Sequence, residues 1–262
     1  MANKALPSPA ELRQIAGLNI VTVGEIEYHS NMLIYGESGV GKTVLACSAS
    51  AVPDMSPVLL IDMEGGTLSV RSRYPSVDLV RVTSMQQLQD VYDALRSGDT
   101  GYKTVIIDSL TEAQKFSMND IMKGVVAEND DRDPDIPSMR EYGKNLEQTR
   151  RLVRAFRDLP MNTVITALED YTKDEVTKKT NFMPLLTGKA QKEIPAFFDL
   201  VLRMYVTPDP NNEGETLRLL QSKTTEKVVA KDRSGSMPAV MGNIETPTMG
   251  QIYDIALKNM EN

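Results

Sequence analysis

Gly36-Glu37-Ser38-Gly39-Val40-Gly41-Lys42-Thr43 lies between an apolar run, Met32-Leu33-Ile34-Tyr35, and a helix-compatible segment, Val44 to Ala49. Strand, glycine-rich turn and helix, in that order, turn this G-x-x-x-x-G-K-[ST] pattern into a phosphate-binding loop. Glycine lets the backbone curl until successive N–H groups point inward at phosphate oxygens. The start of the following helix adds its positive dipole end. Gly36 through Val44 is therefore the expected nucleotide-binding stretch. Lys42 is placed to reach the β- and γ-phosphates of ATP, and Thr43 to offer its hydroxyl to Mg²⁺.

The chain has 262 residues, enough for one sizeable core and at most two small domains. It is 41% apolar and 25% charged, an ordinary globular composition. No apolar run reaches the length of a membrane span. The first residues lack the apolar stretch of a secretion signal, so a cytoplasmic protein is expected. Cys47 is the only cysteine and His29 the only histidine, which excludes an intrachain disulfide, Cys-based or multi-His metal sites and His-dependent triads. The net charge of −7 excludes a protein that coats nucleic acid with its whole surface. Any such contact must come from a local patch.

Working outward, Ser8 and Pro9 suggest a short helix reaching Ile15. Pro57 to Ile61 reads as a buried parallel strand that runs into Asp62-Met63-Glu64-Gly65-Gly66. Leu79 to Val82 reads as a strand and Ser84 to Leu95 as a capped amphipathic helix. Thr104-Val105-Ile106-Ile107-Asp108 is an apolar strand ending in an acid, the Walker B form, which delivers Asp108 beside the P-loop to hold Mg²⁺. Residues 124–139 are acidic and proline-punctuated and read as a loop. A long helix is expected from Ser138 to Leu159, a strand over Thr163 to Ala167, and a polar loop over 169–187. Gly188 to Phe198 is helix-like, with Pro195 ending or kinking it. Leu200 to Val206 is a strand. Leu217 to Gln221 and Lys227 to Ala230 read as an antiparallel pair, and Thr248 to Met260 as a final amphipathic helix.

This order predicts a three-layer α/β fold with a mainly parallel sheet and an antiparallel C-terminal edge. The expected organisation is a lead-in over 1–30, a core over 31–240 and a helical tail over 241–262.

These motifs together resemble the RecA-type ATPase core. They are more closely similar to the short, core-only RecA-like ATPases of bacteriophages, which are linked to single-strand annealing and recombination. The likeness runs from about Asn31 to Pro238. Ile61 to Gly66 looks like the segment that supplies the family's catalytic glutamate, here Glu64. The loop at 124–139 and the segment Asp170 to Thr187 fall where the family keeps its two DNA-binding loops. Val229-Ala230-Lys231-Asp232-Arg233 resembles the element that places cations in a neighbouring subunit's ATP site. Ala167-Leu168-Glu169 departs from the family, which has a phosphate-sensing glutamine there. The resemblance implies ATP and Mg²⁺ as cofactors and single-stranded DNA as partner. It also implies self-assembly into a filament or ring that shares its ATP site between subunits, a single-stranded-DNA-binding protein as a further partner, and a host-cell cytoplasmic setting.

The residue chemistry fits those roles. Hydrolysis needs a water-orienting group opposite the γ-phosphate, for which Glu64 is the candidate. Lys231 and Arg233 are two apart, so a strand would point both to one face, able to clamp a phosphate in trans. For DNA, Lys178, Lys179 and Lys189 offer phosphate neutralisation and Phe182 a stacking face. The alternatives are a RecA-fold nuclease using Asp130, Asp131, Asp133 and Asp135, a helicase-type motor, and a nucleotide-gated recruitment module.

Overall fold

The computed structural model describes residues 14–15, 18–20, 22, 28–98, 100–173, 180–243 and 247–258. In chain order the strands and helices are β1 Gln14–Ile15, β2 Leu18–Asn19, β3 Asn31–Gly36, α1 Lys42–Cys47, β4 Val58–Asp62, α2 Leu68–Arg71, β5 Asp78–Arg81, α3 Met85–Arg96, β6 Thr104–Asp108 and α4 Leu110–Glu128. Then come α5 Met139–Arg157, β7 Asn162–Lys173, β8 Thr180–Pro184, α6 Ala190–Glu193, β9 Leu200–Pro208, β10 Thr216–Gln221, β11 Lys231–Asp232, β12 Val240–Asn243 and α7 Met249–Ile252. Short 3-10 turns follow α1 and α6, and a π-helical turn, Tyr253–Leu257, follows α7.

Continuous apolar runs cannot face water on either side, so they pair in parallel and are covered twice. The main sheet runs β12-β10-β9-β3-β7-β6-β4-β5, with β11 added on β9 and β8 on β7. From β9 through β5 the neighbours are parallel; β9/β10 and β10/β12 are antiparallel. This is the expected three-layer α/β fold with its antiparallel edge. The period of two along each strand sorts side chains into two cores. Met32, Ile34, Leu60, Ile106, Val164 and Leu202 face α1 and α7. Leu33, Tyr35, Ile61, Ile107, Ile165 and Val201 face α3, α4 and α5. Met249, Ile252 and Ala256 are fully buried against the first of these faces.

Helix starts follow side-chain chemistry. Ser84 accepts from the Gln87 N–H at the start of α3, and Ser138 with Glu141 forms a reciprocal capping box at α5. Arg132 also reaches Glu141, and these donors hold the carboxyl down to about 2.

Several expectations need correction. Gln14–Ile15 pairs with Leu18–Asn19 as a two-stranded ribbon instead of ending a helix; residues 1–13 lie outside the described residues. The 124–139 loop is shorter than expected, because α4 continues through Gly124 to Glu128, anchored by buried Ile121 and Met122. Within the polar stretch expected as a loop over 169–187, Glu169 to Lys173 and Thr180 to Pro184 pair as antiparallel strands instead, with Glu169 opposite Pro184 and Lys173 opposite Thr180; residues 174–179 lie outside the described residues. Lys227 to Ala230 does not pair with β10. Val229 N–H donates to the Phe182 carbonyl, and β10 takes β12 as its partner.

Candidate nucleotide site

The P-loop begins where β3 ends, against β9. A Cβ on Gly36 would stand 2.1 Å from the Met204 carbonyl oxygen, so only glycine permits this approach. Gly41 has φ 111°, in the left-handed region, and leads directly into α1. Val40 buries its side chain in the α1-side core and anchors the loop from beneath.

Lys42 is 8% exposed, and its Nζ donates to the Gly36 and Glu37 carbonyls at 2.9 and 2.8 Å. Burial lowers its pKa; the nearby carboxylates of Asp108, Glu64 and Glu169 oppose that shift. A buried ammonium at the mouth of a loop of this shape is an anion-binding group.

Asp108 ends β6 one strand beyond β7, at the carboxyl end of the parallel sheet, where α/β folds place ligands. Its Oδ2 accepts from the Thr43 hydroxyl at 2.7 Å, and its Oδ1 accepts from the hydroxyl of buried Thr166 on β7. A hydroxyl and a carboxylate in contact form a hard, all-oxygen donor pair. That fits Mg²⁺, which takes few protein ligands and completes its shell with water and phosphate. Among the described residues no group of three or more His, Cys, Asp or Glu is placed to hold a metal, so Asp130, Asp131, Asp133 and Asp135 do not form a cluster.

Glu64 follows the next strand outward, β4. Fully buried Asp62 shapes its turn, its Oδ1 accepting from the backbone N–H of Glu64 at 3.2 Å and of Gly65 at 2.7 Å. The Ser109 hydroxyl donates to Glu64 Oε1, tying that carboxylate to the residue after Asp108.

Lys42, Thr43 and Glu64 line one cavity of about 670 Å³. That lies within the usual range for small-ligand sites. Ser38, Gly39, Gly41 and Val44 belong to the same wall. Gly66, Ser69, Arg73 and Tyr74 come from the α2 side, and Arg218 comes from β10. With Lys42, Arg73 and Arg218 against Glu64, the cavity's formal charge favours an anionic ligand. Sequence reading missed Asp62, Ser69, Arg73, Tyr74, Ser109, Thr166 and Arg218. Of these only Asp62 carried a signal, an acid ending a buried strand.

The remaining candidates lie elsewhere. Lys231 is level with Val201, which is offset by one row from Leu200, the partner of Met32 near the start of β3. Val201 is itself the partner of Leu33, so at ~3.3 Å per residue Lys231 lies about 10 Å back along the strand direction from Gly36. Lys231 Nζ donates to the Phe198 and Ala196 carbonyls at 2.6 and 3.0 Å, and Arg233 ion-pairs with Asp199 at 2.6 Å. Neither belongs to its own P-loop's cavity. Phe182 is half-buried, with the Arg203 guanidinium 3.7 Å above its ring. Arg203 in turn grips Glu169 through two hydrogen bonds, at 2.6 and 3.0 Å. Lys189 is exposed at the start of α6, while Lys178 and Lys179 lie outside the described residues.

Comparison with known proteins gives one family, the AAA domain family AAA_24, which matches residues 29–234. No curated protein matches. Among solved structures, the chain is similar to a KaiC-like protein from Pyrococcus horikoshii (14% identity, 73% of this chain and 77% of that one, TM-score 0.43). It is also similar to a prototypical type III secretion ATPase from pathogenic bacteria (12% identity, 88% and 60%, TM-score 0.42). A third is the assembled ATPase EscN of enteropathogenic E. coli (16% identity, 67% and 43%, TM-score 0.43). This chain thus spans less than two thirds of the length of the two secretion ATPases. Likenesses this distant carry no argument about activity or assembly. The family match covers most of the chain, and the chain belongs to the AAA domain family.

Proposed function

We propose that this AAA-domain P-loop ATPase is a RecA-like, Mg²⁺-dependent ATPase that binds single-stranded DNA and promotes annealing or strand exchange in phage recombination. The observation that carries the hydrolytic part is the convergence of Lys42, Thr43, Glu64 and Asp108 at one end of the sheet. In this reading Lys42 exchanges its two backbone carbonyls for β- and γ-phosphate oxygens. Thr43 and Asp108 hold Mg²⁺, which supplies charge neutralisation on the phosphates. Glu64, fixed at Oε1 by Ser109, uses Oε2 to orient a water and take its proton. The water oxygen bonds to the γ-phosphorus as the bond to the β-phosphate oxygen breaks, and Lys42 offsets the charge left on ADP.

The DNA part rests on the β7–β8 hairpin, which continues from the strand that carries Thr166 and ends beyond the site with Tyr171 exposed. Phe182, Lys178, Lys179 and Lys189 are the proposed contacts. Lys231 and Arg233 act on a neighbour's nucleotide, which makes a filament or ring the working form and a single-stranded-DNA-binding protein a natural partner. The setting proposed is the host cytoplasm; among the described residues no helix is long and apolar enough to cross a membrane. The test is the rate of phosphate release with and without single-stranded DNA, with oligonucleotide binding followed at low and physiological salt. Lys42→Ala should abolish turnover, and Glu64→Gln should block turnover while keeping ATP binding. DNA that neither binds at low salt nor changes the rate would sink the DNA reading and leave the ATPase standing.

A further inference from the structure

Arg218 stands 182 residues from Gly36 in sequence, yet strand register brings it to the P-loop. Tyr35 is level with Arg203 on β9, so Gly36 is level with Met204. Arg218 is level with Val206, two residues further on. At ~3.3 Å per residue, Arg218 thus lies about 7 Å past the last residue of β3. Its face is settled by parity. Leu220, two residues away on the same strand, is buried in the core that contains Leu45, Ala46 and Cys47 of α1. Arg218 therefore projects on the side of the sheet where α1 and the P-loop lie, and it lines the cavity together with Arg73 and Tyr74.

The neighbouring strand is shaped to keep it there. A Cβ on Gly242 of β12 would stand 2.2 Å from the Arg218 carbonyl oxygen, and Gly242 has φ +120°. Only glycine lets β12 close on β10 at this row.

We infer that Arg218 is a nucleotide-binding residue acting in cis, pairing its guanidinium with the diphosphate tail that ADP and ATP share. The inference rests on the ATP reading of this cavity. Glu64 and Asp108 follow β4 and β6, on the β7 side of β3, whereas Arg218 is on the β9 side. The γ-phosphate belongs to the first group, so Arg218 serves the part of the ligand that stays after hydrolysis. A planar fork of donors suits this better than a lysine, because it can grip two phosphate oxygens at once.

The test is the affinity of wild type, Arg218→Ala and Arg218→Lys for ADP and for a non-hydrolysable ATP analogue, with kcat at saturating ATP. Arg218→Ala should bind both nucleotides about tenfold or more weakly, the scale of one charge-assisted contact. Its kcat should stay within about twofold of wild type, since an interaction equal in ground and transition states changes affinity alone. Arg218→Lys should fall between them. Should the alanine variant not fold, Arg218→Gln, nearer in volume, takes its place. Unchanged affinity for both nucleotides would overturn the inference, as would a loss confined to the ATP analogue or a collapse of kcat with normal ADP binding. Wild-type protein that binds neither nucleotide would instead refute the ATP reading on which it rests.

Discussion

Asp62 offers the sharpest test of how the site is built, because it shapes the turn that presents Glu64 without lining the cavity. In Asp62→Ala two hydrogen bonds to the Glu64–Gly65 turn vanish. The contact with Arg81, at 3.3 Å, matters little because the Arg81 side chain is 61% exposed. Glu64 and Gly65 are themselves exposed, so water takes over their freed N–H groups and the fold loses little. What is lost is the fixed position of the carboxylate. Two bonds to a charged acceptor, one of them long, are worth roughly 3 kcal/mol. At ~1.4 kcal/mol per decade, kcat should fall by about 100-fold. ADP affinity, read by calorimetry, should stay within about twofold, since the turn is not the phosphate grip. Asp62→Asn keeps an acceptor oxygen for the turn and should retain kcat within about threefold. An alanine variant with wild-type kcat, or an asparagine variant as impaired as alanine, would refute the reasoning.

Three further outcomes follow from packing and ionisation. Gly36→Ala forces a methyl group to within 2.1 Å of the Met204 carbonyl, so β3 and β9 must part; urea denaturation should show a loss of about 1–3 kcal/mol or more, with nucleotide binding lost. Cys47 is fully buried and its thiol is pushed up to about 12, so a thiol reagent at neutral pH should label it only after unfolding. Glu141 titrates at about 2 in the fold against an ordinary value of 4.5, so its stabilising effect is full above that ordinary value and fades as pH falls toward 2. The Glu141→Gln variant should therefore lose less stability than wild type over that interval, read from denaturation midpoints against pH.

The parts of the fold that were readable are those where one requirement dominates. Strands β3, β4 and β6 must be dry on both faces, so each carries an apolar run, and what ends the run, glycine in β3 and aspartate in β4 and β6, marks the ligand end of the sheet. The glycine-rich pattern placed Lys42 and Thr43 at this end of the sheet, and the strand ends placed Glu64 and Asp108 there. The β7–β8 stem was illegible because it lies beyond the covering helices: Glu169 to Lys173 are half-buried or exposed, and what holds them is backbone pairing with β8 and the side-chain contacts of Glu169 with Arg203 and of Asp170 with Gln191, all distant in sequence. In α4, Gly124 and two valines read as a break, yet Ile121 and Met122 fix the preceding turn in the core and the helix carries on. Lys227 to Ala230 has strand composition, but Phe182 takes its backbone hydrogen bonds. Arg218 had no local signal at all. Its neighbours in the cavity come from α1 and α2, and only the pairing of β9 with β10 reveals them.

Strand β7 has no joint in it. Thr166, bonded to Asp108, and Lys173, opposite Thr180 in the hairpin stem, belong to the same twelve-residue strand. Seven residues at ~3.3 Å each make a rod of roughly 23 Å between the hydroxyl bonded to Asp108 and the outer end of the stem. A rod transmits a tilt as leverage: an angular displacement at its inner end sweeps a larger arc at its outer one. The inner end is clamped between β3 and β6, while among the described residues the outer end pairs only with β8. Geometry of this kind amplifies motion outward and resists it inward, so a ligand pulling on the stem has the longer arm and the site has the stiffer seat.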